Sequence, residues 1–168
     1  HEVSVKSFLM SQACVTQDLY EAVVGTNPSF FKLPSLPIEC INWFEAKTFC
    51  DLLTSSSPYK FRLPSESEWE YAARAGTTSS FYCGETLTNK IGNYMAEVPW
   101  KNGPSGDYVC KTLPPNSYPV NPWGLSDMSG NVFDWCQDAY CTYENSPCDG
   151  SANERLYGPE ERLLRGGS

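Results

Sequence analysis

Cysteines are the first residues in this chain whose type points to chemistry. The eight are Cys14, Cys40, Cys50, Cys83, Cys110, Cys136, Cys141 and Cys148. An even number scattered between loops is typical of disulfides in an oxidising compartment, so we expect pairs, with free buried thiols as the alternative. The last three cysteines have no CxxC spacing and no histidine nearby, which disfavours a zinc site.

Catalytic constellations of other kinds are sparse. The one histidine, His1, stands at the terminus and is a poor candidate for a general base. The sequence contains no GxSxG nucleophile elbow, no P-loop and no dinucleotide-binding fingerprint. Glu66, Glu68 and Glu70 alternate along a predicted helix without sharing a face, and we interpret them as its solvated acidic start.

The composition indicates one loop-rich globular domain. The 168 residues include 12 glycines and 13 prolines, with 14% aromatic and 19% charged residues. The net charge of -8 excludes nucleic acid as an expected partner, because phosphates attract a basic surface, and it favours cations or basic partners. No apolar run approaches the roughly 18 residues that a membrane span needs.

The first predicted helix follows an extended start of the chain. Polar and apolar side chains alternate over residues 1–12, which predicts a strand. The helix begins after Thr16, which can cap it, and it ends at Gly25. Asn27 and Pro28 then mark a loop.

Two further helices are predicted to begin at capping boxes. Asn42 stands three residues before Glu45 in one, and Ser65 stands three residues before Glu68 in the other, which Gly76 ends. The side chains expected to face the core are Trp43, Ala46, Cys50 and Leu53 in the second helix and Trp69, Ala72 and Ala73 in the third.

A long irregular stretch follows these helices. Residues 76–124 are rich in Gly, Pro, Asn, Ser and Tyr and show no periodicity. A stretch of this length inside a compact domain needs something to hold it, and disulfides or a bound metal are the physical candidates. Residues 161–168, ERLLRGGS, predict a strand that enters a turn.

Three segments together resemble the formylglycine-generating-enzyme family, also called the sulfatase-modifying-factor family. They are FRLPSESEWEYAARAG at 61–76, NPWGLSDMSGNVFDWC at 121–136 and LLRGGS at 163–168. The resemblance implies an α+β domain with a C-type lectin-like fold, which has two main helices, short antiparallel sheets and long irregular loops. It covers nearly the whole chain, so we expect one domain over residues 1–168 without the C-terminal segment that such domains usually carry.

The resemblance also implies two structural calcium ions. The first ligand set matches the spacing of Asn93, Tyr94, Asp107 and Val109. The second corresponds to the family segment GNxxE, where Asn131 and Asp134 are the candidate ligands and the shorter Asp replaces Glu. Calcium takes six to eight oxygen ligands of these kinds. The alternative for both sets is that the side chains hold tight turns.

Catalysis by the family's enzymes depends on cysteines downstream of RGGS. The resemblance implies that a copper-binding pair there oxidises a substrate cysteine to formylglycine, and two thiolates suit Cu(I). The sequence stops at Ser168, and none of its eight cysteines stands at the matching position. We therefore assign no catalytic residue. The chain also departs from the family at Ala73 and Phe133, and the usual disulfide partner of Cys50 would lie downstream.

We therefore expect a non-catalytic ligand-binding or display domain, similar to the variable proteins of diversity-generating retroelements, with a variable segment after Ser168. The expected partner is a protein or a cell-surface ligand, and the expected location is exported or cell-surface, with a lipid anchor upstream. Aromatic candidates for recognition, each equally able to be core, are Trp100, Trp123, Tyr140 and Tyr143. The alternatives are a copper-dependent formylglycine-generating oxidase that acts on a sulfatase cysteine, and a purely structural domain.

Overall fold

The computed structural model describes residues 2–155 and 161–167. His1 and Ser168 lie outside the described residues. The elements in chain order are α1 (Gln17–Val24), α2 (Trp43–Ser55), α3 (Glu66–Arg74), β1 (Asp134–Ala139) and β2 (Arg162–Arg165). The α+β class that the sequence predicts is confirmed, and so are the three helices and the strand before the final glycines.

Capping boxes begin α2 and α3, as predicted. Asn42 Oδ1 accepts from the Glu45 amide at 3.1 Å, and the Asn42 amide donates to Glu45 Oε2 at 2.7 Å. Ser65 Oγ accepts from the Glu68 amide at 3.1 Å, and the Ser65 amide donates to Glu68 Oε2 at 2.9 Å. Each box satisfies amides that the helix itself leaves unpaired. The left-handed cap of α3 is Ala75, one residue before the predicted Gly76.

α1 has the predicted bounds but not the predicted cap. The Thr16 hydroxyl donates to the Asp18 carboxylate and makes no capping bond to the helix backbone. Gln17 is fully buried at the first turn, and its Nε2 donates to the Phe31 carbonyl at 2.7 Å. The side chain of Gln17 therefore ties the loop after α1 to the helix start, and Gly25 ends the helix with a φ of 85°.

Residues 2–12 do not form the predicted strand. Their backbone is bonded to two separate loops: the Ser4 amide donates to Cys148 O at 2.9 Å, and the Ser126 amide donates to Gln12 O at 2.8 Å. A strand requires a continuous ladder with one partner, and two isolated bonds to different loops do not make one.

The core lies where α3 meets β1 and the loop before it. Its buried cluster comprises Trp69, Ala72, Leu125, Met128 and Cys136. The buried residues of α2 are Trp43, Ala46 and Phe49. Cys50 and Leu53 are only partly buried, so the predicted face of α2 is wrong at these two positions. The reason is that Phe49 stacks on Tyr20 of α1, with ring centroids 5.4 Å apart, which turns α2 toward α1.

β1 and β2 pair antiparallel, and a tryptophan of α2 contacts both strands. The paired residues are Asp134 with Arg165, Trp135 with Leu164 and Ala139 with Arg162, with an irregularity between Trp135 and Ala139. Trp43 Nε1 donates to Cys136 O at 2.9 Å, and the Arg162 guanidinium lies 3.9 Å from the Trp43 ring centroid. Trp43 therefore contacts both strands, as expected for a core tryptophan.

The interpretation of the α3 glutamates as a solvated helix start is wrong. Glu68 is 7% exposed and forms a bidentate pair with Arg62 at 2.6 and 2.7 Å. Glu66 and Glu70 both pair with Arg165. Residues four apart do share a helix face, and this face receives the arginine of the RGG segment.

All eight cysteines lie in the described part of the chain and are free thiols there. Cys136 is buried, and burial raises the pKa of its thiol, whereas Cys40, Cys83, Cys110 and Cys148 are exposed. The structure gives the expected disulfides no support, and they stay a prediction.

Candidate functional site

The irregular stretch predicted after α3 is irregular in the structure. Residues 76–133 are all described and contain no helix or strand, apart from an isolated bridge between Phe81 and Gly84. Short hydrogen-bonded turns shape the stretch. In one of them the Gly103 amide donates to Trp100 O at 3.0 Å. A pair of buried asparagines joins distant parts of this stretch.

Asn93 and Asn131 form a buried polar network that ties three parts of the loop. The Asn131 amide donates to Asn93 O at 2.7 Å, and Asn93 Nδ2 donates to Asn131 Oδ1 at 3.2 Å. Asn131 Oδ1 also accepts from the Leu113 amide at 2.9 Å, while its Nδ2 donates to Leu113 O at 2.9 Å. Asn93 Nδ2 reaches Lys111 O at 2.8 Å. A satisfied network of this kind fixes one backbone arrangement.

Two glycines permit the close approach that this network needs. A Cβ on Gly92 would lie 2.1 Å from Ser129 O, and a Cβ on Gly130 would lie 2.4 Å from Asn93 O. Both distances are shorter than any real contact, and both obstacles are backbone. The segments around residues 92 and 130 therefore pack backbone against backbone, which only glycine allows.

The first predicted calcium set is brought partly together. The Gly106 amide donates to Ala96 O at 2.9 Å, which lays the segment of Asp107 and Val109 near that of Asn93 and Tyr94. Asp107 is exposed, whereas Asn93 is buried and bonded to protein groups. The Tyr94 carbonyl already accepts from the Ala96 amide at 2.7 Å. This set stays a prediction.

The two residues of the second predicted set, Asn131 and Asp134, differ in how well they suit a cation. The side-chain amide of Asn131 bonds to Leu113 and Asn93 and therefore holds turns, which is the alternative role stated in the sequence analysis. Asp134 Oδ2 accepts from Trp69 Nε1 at 3.0 Å, and Oδ1 lies 4.0 Å from the Cys14 thiol. Burial raises the pKa of Asp134 to about 6, although part of the residue reaches the surface.

Asp127 is the functional candidate that sequence reasoning missed. Its charge further raises the pKa of Asp134, and burial raises its own pKa. Asp127 Oδ2 is buried and makes no hydrogen bond of good geometry, while the Ser126 hydroxyl and the Asn116 backbone interact with the carboxylate and partly offset the rise in its pKa. Among residues 2–155 and 161–167 no cluster of three or more His, Cys, Asp or Glu side chains converges, so a cation here would draw on two carboxylates and on carbonyls.

The RGG segment lies beside Asp134 in this acidic site. A Cβ on Gly166 would lie 3.2 Å from Val132 O and 3.5 Å from Asp134 Oδ2. Gly166 has a φ of 88°, a conformation that other residues rarely adopt. It leaves a space bordered by a carbonyl and a carboxylate oxygen, both of the type that calcium binds.

An apolar groove of about 350 Å³ lies beside the loop. Its walls include Phe81, Leu87, Tyr94, Met95, Trp100 and Gly167. Trp100 is 53% exposed and Met95 is 49% exposed, so large apolar side chains face solvent here. Trp123, Tyr140 and Tyr143 are also exposed, which places all four predicted aromatic candidates at the surface rather than in the core.

Residues 1–168, the whole chain, match the sulfatase-modifying factor enzyme 1-like domain. The chain belongs to this family. The resemblance stated from the sequence is therefore confirmed.

Two similar proteins are matched over only part of their own length. The serine/threonine-protein kinase pkn1 of Chlamydia caviae is 34% identical over 137 residues, which cover 78% of this chain and 19% of the kinase. The formylglycine-generating enzyme of Streptomyces coelicolor is 32% identical over 145 residues, which cover 80% of this chain and 42% of the enzyme. The chain thus spans less than half the length of either relative.

A solved family structure supports the expected fold. Treponema denticola variable protein 1 superposes with a TM-score of 0.74 at 26% identity, covering 98% of this chain and 74% of that one. The C-type lectin-like architecture of the formylglycine-generating-enzyme type is therefore shown. In the described residues of the present chain, no helix is long and apolar enough to cross a bilayer.

Proposed function

We propose that this chain is a non-catalytic ligand-binding or display domain on a formylglycine-generating-enzyme scaffold. The observation that carries the proposal is the open groove whose apolar walls stay exposed, with Val98 69% exposed beside Trp100 and Met95. Exposed apolar side chains gathered at one concave site are typical of binding surfaces. The loop that supplies them is held by Asn93 and Asn131, and a rigid support of this kind lowers the cost of binding.

The likeness to Treponema denticola variable protein 1 supports a surface role. It extends over 98% of this chain, and in the proposed role a variable segment would follow Ser168. The proposed location is exported or cell-surface, with an upstream lipid anchor, and the proposed partner is a protein or cell-surface ligand. The net charge of -8 suits a basic partner.

Calcium is the cofactor that we propose for this domain, in a structural role. The residues that fit it best are Asp127 and Asp134, together with the Val132 carbonyl that borders Gly166 as Asp134 does. A divalent cation would neutralise two partly buried carboxylates and supply a partner for Asp127 Oδ2. The set of Asn93, Tyr94, Asp107 and Val109 remains the second proposed location, and Asn131 stays a proposed ligand together with Asp134.

Binding can be tested with the full chain labelled at its N-terminus. We expect saturable binding on an array of cell-surface glycans and basic peptides, because the proposed partner is a protein or cell-surface ligand and the chain is acidic. Met95→Asp at the groove should abolish the signal, whereas Leu19→Asp, on the exposed face of α1, is the matched control. Equal binding by both variants would contradict a binding role for the groove.

The alternative function is copper-dependent oxidation of a sulfatase cysteine to formylglycine. The observation in its favour is the 32% identity to the Streptomyces coelicolor enzyme. Incubating the natural full-length protein with a cysteine peptide, copper, oxygen and a thiol as the two-electron reductant would detect it as release of sulfide and water and gain of a peptide aldehyde. We expect no aldehyde, and its formation would overturn the non-catalytic proposal.

A further inference from the structure

Three aromatic side chains line the same groove. Phe81, Tyr94 and Trp100 all belong to its walls. An aromatic ring presents a negative face, so a cation placed over several such rings is attracted electrostatically. The chain already shows this at one ring, where Lys101 Nζ lies 5.8 Å from the centroid of Trp100.

Hydrogen bonds fix the Tyr94 hydroxyl and the backbone that carries the other two rings before any ligand binds. The hydroxyl of Tyr94 donates to Leu87 O at 2.9 Å, which fixes the ring from its far end. Phe81 and Gly84 exchange two backbone bonds at 2.9 and 3.0 Å. Trp100 begins the hydrogen-bonded turn that ends at Gly103. A preformed aromatic site loses less entropy on binding than a mobile one.

The charged side chains on the segments that form the groove balance one another, so the aromatic walls, and not local charge, favour a positive ligand. The exposed residues Glu85 and Glu97 lie on the segments that supply the walls, and so do Lys90 and Lys101. The guanidinium of Arg165, next to the glycines of the wall, is neutralised by α3 glutamates. Lys101 lies over the Trp100 ring, where a ligand cation could replace it. The whole chain carries a net charge of -8.

We propose that this groove binds an organic cation, a quaternary or alkylated ammonium group, that replaces Lys101 on Trp100. The ammonium would lie against the aromatic walls, and Met95 would contact its methyl groups. The inference rests on the proposed binding function and names its ligand class. Weakly hydrated alkylated ammonium groups suit this site better than a primary amine, because they lose less solvation when they enter an apolar space.

Choline and its neutral isostere 3,3-dimethylbutanol give a direct test, because they differ mainly in charge. Titration of the full chain by calorimetry should show choline binding at least about tenfold more tightly than the alcohol. Equal affinities would overturn the cation site and leave an apolar binding groove, so the proposed function would survive. Binding of neither probe would overturn the assignment of this ligand class.

Three variants locate the effect. Trp100→Leu should reduce the preference for choline to less than about twofold. Lys101→Gln should strengthen choline binding by about threefold and leave the alcohol unchanged, because a competing cation is removed. Trp123→Leu, at an exposed tryptophan outside the groove, should match the wild type. A loss of affinity in Lys101→Gln would contradict displacement of the lysine.

Discussion

The helical part of the molecule and the loop part reach a fixed backbone by different means. Residues 13–75 contain all three described helices, and their ends are set by neighbours within three residues, as in the Asn42 and Ser65 capping boxes. Residues 76–133 contain no helix or strand, and their backbone is held by bonds between positions 38 residues apart, Asn93 and Asn131.

This difference has an energetic consequence. A helix that loses one cap keeps its other bonds and its packing, so the damage stays local. A loop whose buried polar groups share a few partners has no such reserve, because removing one partner leaves several groups unpaired away from water. We therefore expect substitutions in the loop to cost more than equally conservative substitutions in the helices.

The largest loss of stability is expected when one methyl group is added at Gly92. Gly92→Ala would place a Cβ 2.1 Å from Ser129 O, where backbone must move. We expect a loss of more than about 4 kcal/mol in the free energy of unfolding. Urea denaturation followed by circular dichroism measures it.

Gly124→Ala is the control for this prediction. Gly124 has a φ of 80° but no atom within 4 Å of its hypothetical Cβ. Only conformational strain remains at this position, and the expected cost is about 1 kcal/mol. Similar losses at both glycines would mean that the close approach of backbones does not hold the loop.

The next largest effect is expected from the asparagine network. Asn131→Ala leaves the amide and carbonyl of Leu113 without their partner and removes an acceptor from Asn93. The expected loss is about 3 kcal/mol, because several buried groups lose their bonds together. The control is Asn145→Ala, since Asn145 is exposed and bonds only within its own turn. An unfolding free energy within error of wild type for Asn131→Ala would contradict the network's role.

The acidic site beside the loop gives a prediction about pH and calcium. The pKa of Asp134 is raised from 3.8 to about 6, so between these values the folded state keeps a proton that the unfolded state releases. Its contribution to stability is therefore present below about pH 4 and is lost as pH rises through about 6. In chelator, wild type should lose about 2 kcal/mol relative to Asp134→Asn between about pH 4 and pH 7.

Calcium should reverse this loss. At about pH 7, added calcium should raise the melting temperature of wild type through binding to the folded state, while Asp134→Asn responds less. Asp107→Asn tests the other proposed set in the same way, since this exposed carboxylate belongs to it. No calcium response in wild type would rule out a structural ion at either place.

The sequence predicted the helices better than the loop for a physical reason. Asn42 and Glu45 are close in sequence, so their spacing alone predicts the capping box that the structure contains. The family resemblance implies a calcium role for Asn131, whereas its side chain bonds to Leu113 and Asn93, which lie 18 and 38 residues away. No local period reports such contacts.

The same limit applies to the acidic site and the groove. Asp127 stands seven residues before Asp134 in a stretch with no regular structure, so nothing local predicts that the charge of Asp127 raises the pKa of Asp134. The sequence indicates Trp100 as an aromatic candidate, but the groove that it shares with Phe81 depends on the turns between them. The family motifs indicated the fold, whereas the contacts inside the long loop required coordinates.

The smallest expected effects come from substitutions at the helix caps. Comparing the two caps distinguishes bonds within a helix from bonds that join a helix to a distant loop. Asn42→Ala removes one exposed cap from α2, and the expected cost is about 1 kcal/mol. Ser65→Ala removes the equivalent cap from α3 and also the bond from Ser65 Oγ to Gly150 O at 2.7 Å, which is buried. Its cost should be nearer about 2 kcal/mol. Because the two boxes have the same geometry, any excess at Ser65 measures the tertiary bond, and equal costs would show that both caps act locally.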